Sequence, residues 1–403
     1  MTQNTSQSSG IVIIGSGLAG YTLIREIRKL DKAAAITLIT REPGYFYSKP
    51  MLSTALASKK EATQLISTPA EGMATQLEIN ILADADVTAI DAATQTLHTS
   101  KGVLSYAKLV LALGADQIQI PLEGGAANEV LTVNDLEDYA KFRNAIANKK
   151  KVAILGAGLI GCEFANDLVL GGYEVDVIDL ASQALGRLLP EAAAKELQNK
   201  LSTAGVHWHF STTAQAINRN GNDIEISLTN GDSISCDVVL SAVGLKPRID
   251  LAKAAGVKTG LGIQVNRELE TSHKNIYSLG DCAEVEGLVL PYVMPIMQAA
   301  RALAPTLLGQ VTALNYPAMP VMVKTPALPT IVSPPAKGAQ GQWKTTAIEG
   351  GIEARFEASD GKLLGFALMG TATSQRASLS KELPPILQSV SYTHLTLPTT
   401  PYV

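Results

Sequence analysis

The sequence predicts an α/β protein in which one βα unit occurs twice, followed by a small β-rich α+β domain. Three observations carry this expectation. Ile11-Val12-Ile13-Ile14 is a short β-favouring apolar run, followed by glycine at 15, 17 and 20 and a helical pattern over residues 21–30. Lys151-Val152-Ala153-Ile154-Leu155 repeats that design, with glycine at 156, 158 and 161. From residue 319 the composition changes, and proline at 320, 326, 329, 334 and 335 punctuates short β patterns through residue 368.

Each glycine has its own task. Gly15 permits a tight turn, Gly17 lets the backbone approach a pyrophosphate, and Gly20 lets helix and strand pack closely. The diphosphate would sit at the helix N-terminus, where free N–H groups and the macrodipole attract anions. Gly156, Gly158 and Gly161 repeat the set. Two such units in one chain imply two dinucleotides, most simply a flavin and a nicotinamide. The expected fold is therefore two Rossmann-like dinucleotide-binding domains (FAD and NAD) plus a small C-terminal β-rich α+β domain.

The chain has 403 residues, 46% hydrophobic and 17% charged, enough for two or three domains around a sizeable core. A net charge of −4 gives no reason to expect nucleic acid as a partner. No run of about 18 apolar residues occurs, so no membrane span is expected. Residues 1–9 are polar, expected to be disordered, and lack the regions of a secretory signal. The cysteines at 162, 236 and 282 are scattered, which excludes CxxC redox and zinc motifs and fits a reducing cytoplasm; no metal site is expected.

In chain order, residues 36–40 are the second strand of the first unit. Glu42 follows it and is the candidate for holding ribose hydroxyls, although Arg41 precedes it and a solvated loop carboxylate is the alternative. The aromatic, proline-bearing stretch 45–53 falls where a flavin ring would lie. Lys49 there could stabilise the negative charge of reduced flavin, or be a surface lysine. Residues 83–90 alternate and include Val87, and 109–115 form a buried strand ending in glycine. Pro121 and Gly124-Gly125 mark a linker. Residues 10–117 are thus the first part of the FAD-binding domain.

Residues 118–244 are the expected NAD-binding domain. An amphipathic helix over 134–148 leads into its glycine loop. Glu163 lies two positions past the last glycine, close to where the two cofactors should meet. The strand 174–179 ends in Asp179, at about the twenty-residue spacing that suits a ribose 2′-hydroxyl. An acid there repels a 2′-phosphate and favours NADH, with Arg187 nearby as a weak counterweight. Residues 229–232 read as a hairpin turn and 236–244 as a strand. Lys246-Pro247-Arg248 begins the return, so 245–318 complete the FAD-binding domain. There a strand over 276–279 precedes Gly280-Asp281, and Asp281 could accept a ribityl hydroxyl. A helix begins near Tyr292-Val293-Met294-Pro295. Residues 319–388 form the C-terminal domain, and 389–403, uncharged apart from His394, are read as a non-native tail.

With these pieces in place the chain resembles the FAD-dependent pyridine-nucleotide reductases, and among them the branch that reduces rubredoxin in alkane-oxidising bacteria. The resemblance covers residues 10–388. It rests on Tyr47-Ser48-Lys49-Pro50-Met51-Leu52-Ser53, on the run from Gly156 to Leu168, on residues 271–285 and on Val323-Lys324-Thr325-Pro326-Ala327. It implies FAD held through its diphosphate by Ser16, Gly17, Leu18 and Ala19. Lys49 and Lys324 would lie beside the isoalloxazine, Val87 at the adenine end, Glu163 at the nicotinamide side, and Asp281 and Val293 at the ribityl chain and ring.

The implied activity passes electrons from NADH through FAD singly to rubredoxin, supplying an alkane-hydroxylating system. Lys49, Glu163 and Lys324 would act as electrostatic tuners rather than acid–base groups. No cysteine occurs in 40–58, so a disulfide relay or a peroxidase thiol lacks its residues. An acidic acceptor would be drawn by positive charge from Lys49 and Lys324 at the flavin edge. A ferredoxin reductase serving an oxygenase and a flavin-binding redox-signalling protein are the alternatives. The oligomeric state is left open.

Overall fold

The computed structural model describes residues 10–387. The polar residues 1–9 and the suspected foreign tail 389–403 lie outside the described residues. Two parallel sheets carry the two glycine loops. The first has the order Ile276–Ser278, Lys108–Leu111, Ile11–Ile14, Ile36–Ile39, Asn80–Leu82. All four residues of Ile11–Ile14 are buried, as a strand covered on both faces requires. Its edge strand comes from far downstream, so the sheet closes only after the second unit has been inserted into the chain.

The second sheet has the order Val206–Phe210, Glu174–Asp179, Lys151–Leu155, Val238–Ser241, again parallel. One face packs Val152, Ile154, Val175 and Val177 against Phe164, Leu168, Ala194 and Leu197 of the helices Leu159–Leu170 and Glu191–Thr203. The other packs Ala153, Leu155 and Ile178 against the antiparallel meander Ala214–Asn220, Asp223–Leu228, Ser233–Cys236. Where the chain leaves the first unit and returns to it, Ala115–Gln117 and Leu245–Pro247 pair antiparallel, so one short ladder ties both crossings.

The third body is a five-stranded antiparallel sheet, Val321–Val323, Thr330–Ser333, Leu363–Gly370, Gly351–Glu357, Gln342–Ile348, with the helix Arg376–Glu382. Ile331, Phe366 and Leu368 form its own core with Leu379 of that helix. Val323, Val332, Ala354 and Met369 instead join the core of the second unit. The C-terminal sheet is therefore welded to the second unit by apolar burial, the dominant favourable term in association.

Five local expectations shift. The strand expected over 109–115 ends at Leu111, and Ala115–Gln117 belongs to a separate ladder. The first helix starts at Leu18, not residue 21, because Gly17 is already its extended N-cap. The helix expected over 134–148 spans Leu136–Ile146, because the Asp135 side chain accepts the Asp138 N–H and caps it. The strand expected over 236–244 divides into the meander strand ending at Cys236 and the core strand Val238–Ser241. Asp237 makes the break, its carboxylate accepting the Lys150 and Lys151 N–H groups at 2.9 Å each. The alternation over 83–90 becomes strand only at Val87–Asp91. Among the described residues no helix is long and apolar enough to cross a membrane, and no cluster of side chains could hold a metal ion.

Candidate active site

The glycine loops have the geometry their spacing implies. Gly15 has φ +115° and Gly156 φ +108°, a region that side chains disfavour. A Cβ on Gly20 would overlap the Gly15 carbonyl oxygen, and one on Gly161 the Gly156 carbonyl oxygen. Gly17 and Gly158 are the N-caps of Leu18–Leu30 and Leu159–Leu170, and nothing lies within 4 Å of where their Cβ atoms would be. Each loop thus presents an open helix N-terminus to an anion. The buried Ser16 hydroxyl bonds Thr40 Oγ1 at 2.9 Å and ties the first loop to the second strand.

A cluster of polar side chains gathers at the C-terminal end of the first sheet, where open α/β sheets bind ligands. Lys49 opens a 3₁₀ turn, Lys49–Thr54, with Pro50 in its first positions. Its ammonium donates to Asn134 Oδ1 at 2.6 Å. Asn134 in turn donates to the Ala115 carbonyl at 3.0 Å, which fixes the amide's orientation. Burial lowers the Lys49 pKa, and the Asp281, Glu42 and Asp135 carboxylates oppose that fall. Glu42 is half-buried in the same group. Burial raises its pKa, Asp135 adds to the rise, and Arg248, Arg41 and Lys49 act against it.

Asp281 completes the cluster. Gly280, at φ +82°, brings its own position within 2.8 Å of the Ala19 Cβ, measured from an ideal Cβ, so the strand end abuts the first glycine loop. Asp281 Oδ1 is buried without a hydrogen-bond partner, and burial raises the carboxyl pKa against the pull of Lys49. A buried acceptor left open is costly unless a donor arrives. The residues present therefore fit FAD: an open loop for its diphosphate and an unsatisfied acceptor for a hydroxyl of its ribityl arm. Val87 is half-buried at the start of its strand, and Val293, 40% exposed, is the first residue of Val293–Leu307.

Glu163 lies between the two units and is fully buried. Its Oε1 accepts the Lys324 backbone N–H at 2.9 Å. Its Oε2 accepts the Ser53 hydroxyl at 2.5 Å and forms an ion pair with the Lys324 ammonium. That ammonium also donates to the Pro50 carbonyl at 2.7 Å and Ser53 Oγ at 2.8 Å. Lys324 is thus no free cation at a flavin edge, because a buried carboxylate demands a counter-ion and takes it. Lys49 is likewise turned inward. The expectation that these two lysines present positive charge to an acceptor is corrected.

Asp179 accepts the Ala157 N–H at 2.5 Å and the Ala181 N–H at 2.7 Å. The acid at the end of the second-unit strand is therefore fastened to the second glycine loop itself. The three cysteines are free and buried, and burial raises each thiol, that of Cys236 to about 12.

Several contributors carried no role in the sequence reading: Ser53, Asn134, Arg248, Asn166 and Asp167. Asn134 and Arg248 are brought in by the fold alone. Glu163, Asn166 and Asp167, at i, i+3 and i+4 on an otherwise apolar helix, did leave a visible stripe.

Comparison with known proteins agrees with this geometry. Residues 9–304 match the pyridine nucleotide-disulphide oxidoreductase family, and residues 313–383 match a rubredoxin binding C-terminal domain. A rubredoxin-NAD(+) reductase of Alcanivorax borkumensis is 48% identical over 94% of this chain and 99% of its own. One from Acinetobacter baylyi is 47% identical over 94% and 98%. Among solved structures, a ferredoxin reductase of Rhodopseudomonas palustris superposes with TM-score 0.85 at 27% identity, covering 93% of this chain and 95% of that one.

Proposed function

The chain belongs to the pyridine nucleotide-disulphide oxidoreductase family, and from that premise we propose that it is an NADH-dependent flavoprotein that reduces rubredoxin in the cytoplasm, supplying an alkane-hydroxylating system. The observation that carries the acceptor is the C-terminal body, which matches a rubredoxin-binding domain and whose Lys324 is bonded to Glu163. When bound, FAD supplies the step from two-electron to one-electron chemistry.

The chain's own residues bind and orient. The N-termini at Gly17 and Gly158 hold the two diphosphates, with Ser16, Leu18 and Ala19 beside the first. Asp281 takes a ribityl hydroxyl, Val87 and Val293 line the two ends of the flavin, and Glu42 and Asp179 serve the riboses. Lys49 favours negative charge in a low-dielectric pocket. Glu163 and Lys324 form a neutralised pair that fixes three segments beside the site. Residues 10–117 and 245–318 make the FAD-binding domain, 118–244 the NAD-binding domain and 319–388 the acceptor domain.

Titration of the NADH-reduced holoprotein with purified rubredoxin and, separately, a plant-type ferredoxin tests this reading. Rubredoxin is expected to be reduced faster. The second reading, a ferredoxin reductase, is favoured by the Rhodopseudomonas palustris likeness and wins if the order is reversed.

A further inference from the structure

One turn of the helix Leu159–Leu170 grips both of the other bodies. Asp167 Oδ2 accepts the Leu56 N–H at 2.8 Å and Oδ1 the Ala57 N–H at 2.9 Å, just past the turn that carries Lys49 and Ser53. Asn166 Oδ1 accepts the Ala327 N–H at 3.1 Å, three residues past Lys324. Both side chains are buried. With Glu163 they form a stripe of acceptors aimed at backbone N–H groups of two segments distant in sequence. The same helix begins at the open N-cap Gly158.

We propose that Asp167 and Asn166 are positioning residues for electron transfer, Asp167 setting the Lys49 turn and Asn166 setting the C-terminal domain against the helix that receives the nucleotide. The inference rests on the functional reading above. This one carboxylate accepts both backbone N–H groups, so losing it frees the turn at one end while Asn134 still holds the other. The placement is costly to the fold. Burial lifts the Asp167 carboxyl to about 6, against the Leu56 and Ala57 N–H groups and the Arg143 and Lys324 charges. The Tyr139 hydroxyl is nearby but donates to the Lys60 carbonyl, Glu61 is occupied by Arg143, and Glu163 lies one turn away.

For an acid raised in the folded state, the stabilisation is complete below the unfolded pKa and is lost as pH rises through the folded one. The stability contribution of Asp167 therefore falls between about pH 4 and 6. Its grip on Leu56 and Ala57 moves the other way, because hydrogen bonds to an ionised acceptor are stronger. A merely structural residue would not separate the two.

The experiment uses the FAD-loaded full chain with Asp167→Asn and Asn166→Leu. In the wild type, amide protection at Leu56 and Ala57 is expected to rise as pH passes 6, after the stability advantage over Asp167→Asn has shrunk between about pH 4 and 6. Asp167→Asn is expected to lower that protection and the rate of flavin reduction by NADH about tenfold each, the worth of one lost hydrogen bond. Asn166→Leu is expected to raise the KM for rubredoxin about tenfold, with a smaller change in kcat. Protection at Leu56 and Ala57 that is the same in both proteins overturns the role of Asp167. An unchanged rubredoxin KM overturns that of Asn166. A wild type that reduces no rubredoxin defeats the functional reading instead, and leaves amide exchange and flavin reduction to judge Asp167.

Discussion

Glu163 and Lys324 are 161 positions apart in the chain and form an ion pair whose carboxylate is fully buried while the lysine side chain is 27% exposed. Ser53, from a third segment, bonds both partners. Three parts of the chain thus meet on one charge pair.

Removing either partner strands the other. Glu163→Gln and Lys324→Met are each expected to cost about 3 kcal/mol, and the double variant less than their sum. Denaturant unfolding of the four proteins of the cycle measures this, and strict additivity would show that the pair is not coupled.

Neutralised charge does not steer. The double variant Glu163→Gln/Lys324→Met, which removes both charges and keeps the local net charge, is expected to leave the ionic-strength dependence of rubredoxin reduction close to that of the wild type. A clearly flatter salt dependence in the variant would mean that Lys324 is a docking cation after all.

NADH is expected to exceed NADPH in kcat/KM by about tenfold or more, because an unpaired 2′-phosphate beside Asp179 costs on the order of 1–3 kcal/mol. Since Asp179 also holds the Ala157 N–H, Asp179→Ala should both narrow the ratio and raise the KM for NADH. An unchanged ratio removes Asp179 as the discriminator.

The purified protein should carry one FAD per chain, and Asp281→Ala should bind it more weakly. In the flavin-free protein, burial raises the Asp281 pKa, so its contribution to stability falls as pH rises through the carboxylate range. Asp281→Asn should therefore gain on the wild type as pH increases, read from thermal unfolding of apo samples. Recovery of FMN in place of FAD would sink the assignment.

No cysteine should be needed for turnover. With Cys236 raised to about 12 and the other two thiols also raised, no thiolate forms near neutral pH, and iodoacetamide should label only unfolded protein. Loss of flavin reduction in a triple serine variant that still folds and binds FAD would reveal a thiol step.

The two glycine loops, the β-rich C-terminal body and the candidacy of Lys49, Glu163, Asp179 and Asp281 are legible in the residue pattern alone. Those signals are local: a strand, three glycines at fixed offsets, an acid at a strand end. Local sequence also failed where a single side chain redirects the backbone, as Asp237 does between two strands and Asp135 does at a helix start. What the charges do is set by packing. Lys324 looks like a free cation in the sequence, yet it is spent on Glu163. Lys49 is oriented by Asn134, and Asp167 grips a turn 110 positions away. The reason is that a buried charge takes the nearest partner in space, and which partner is near is set by how the sheets pack.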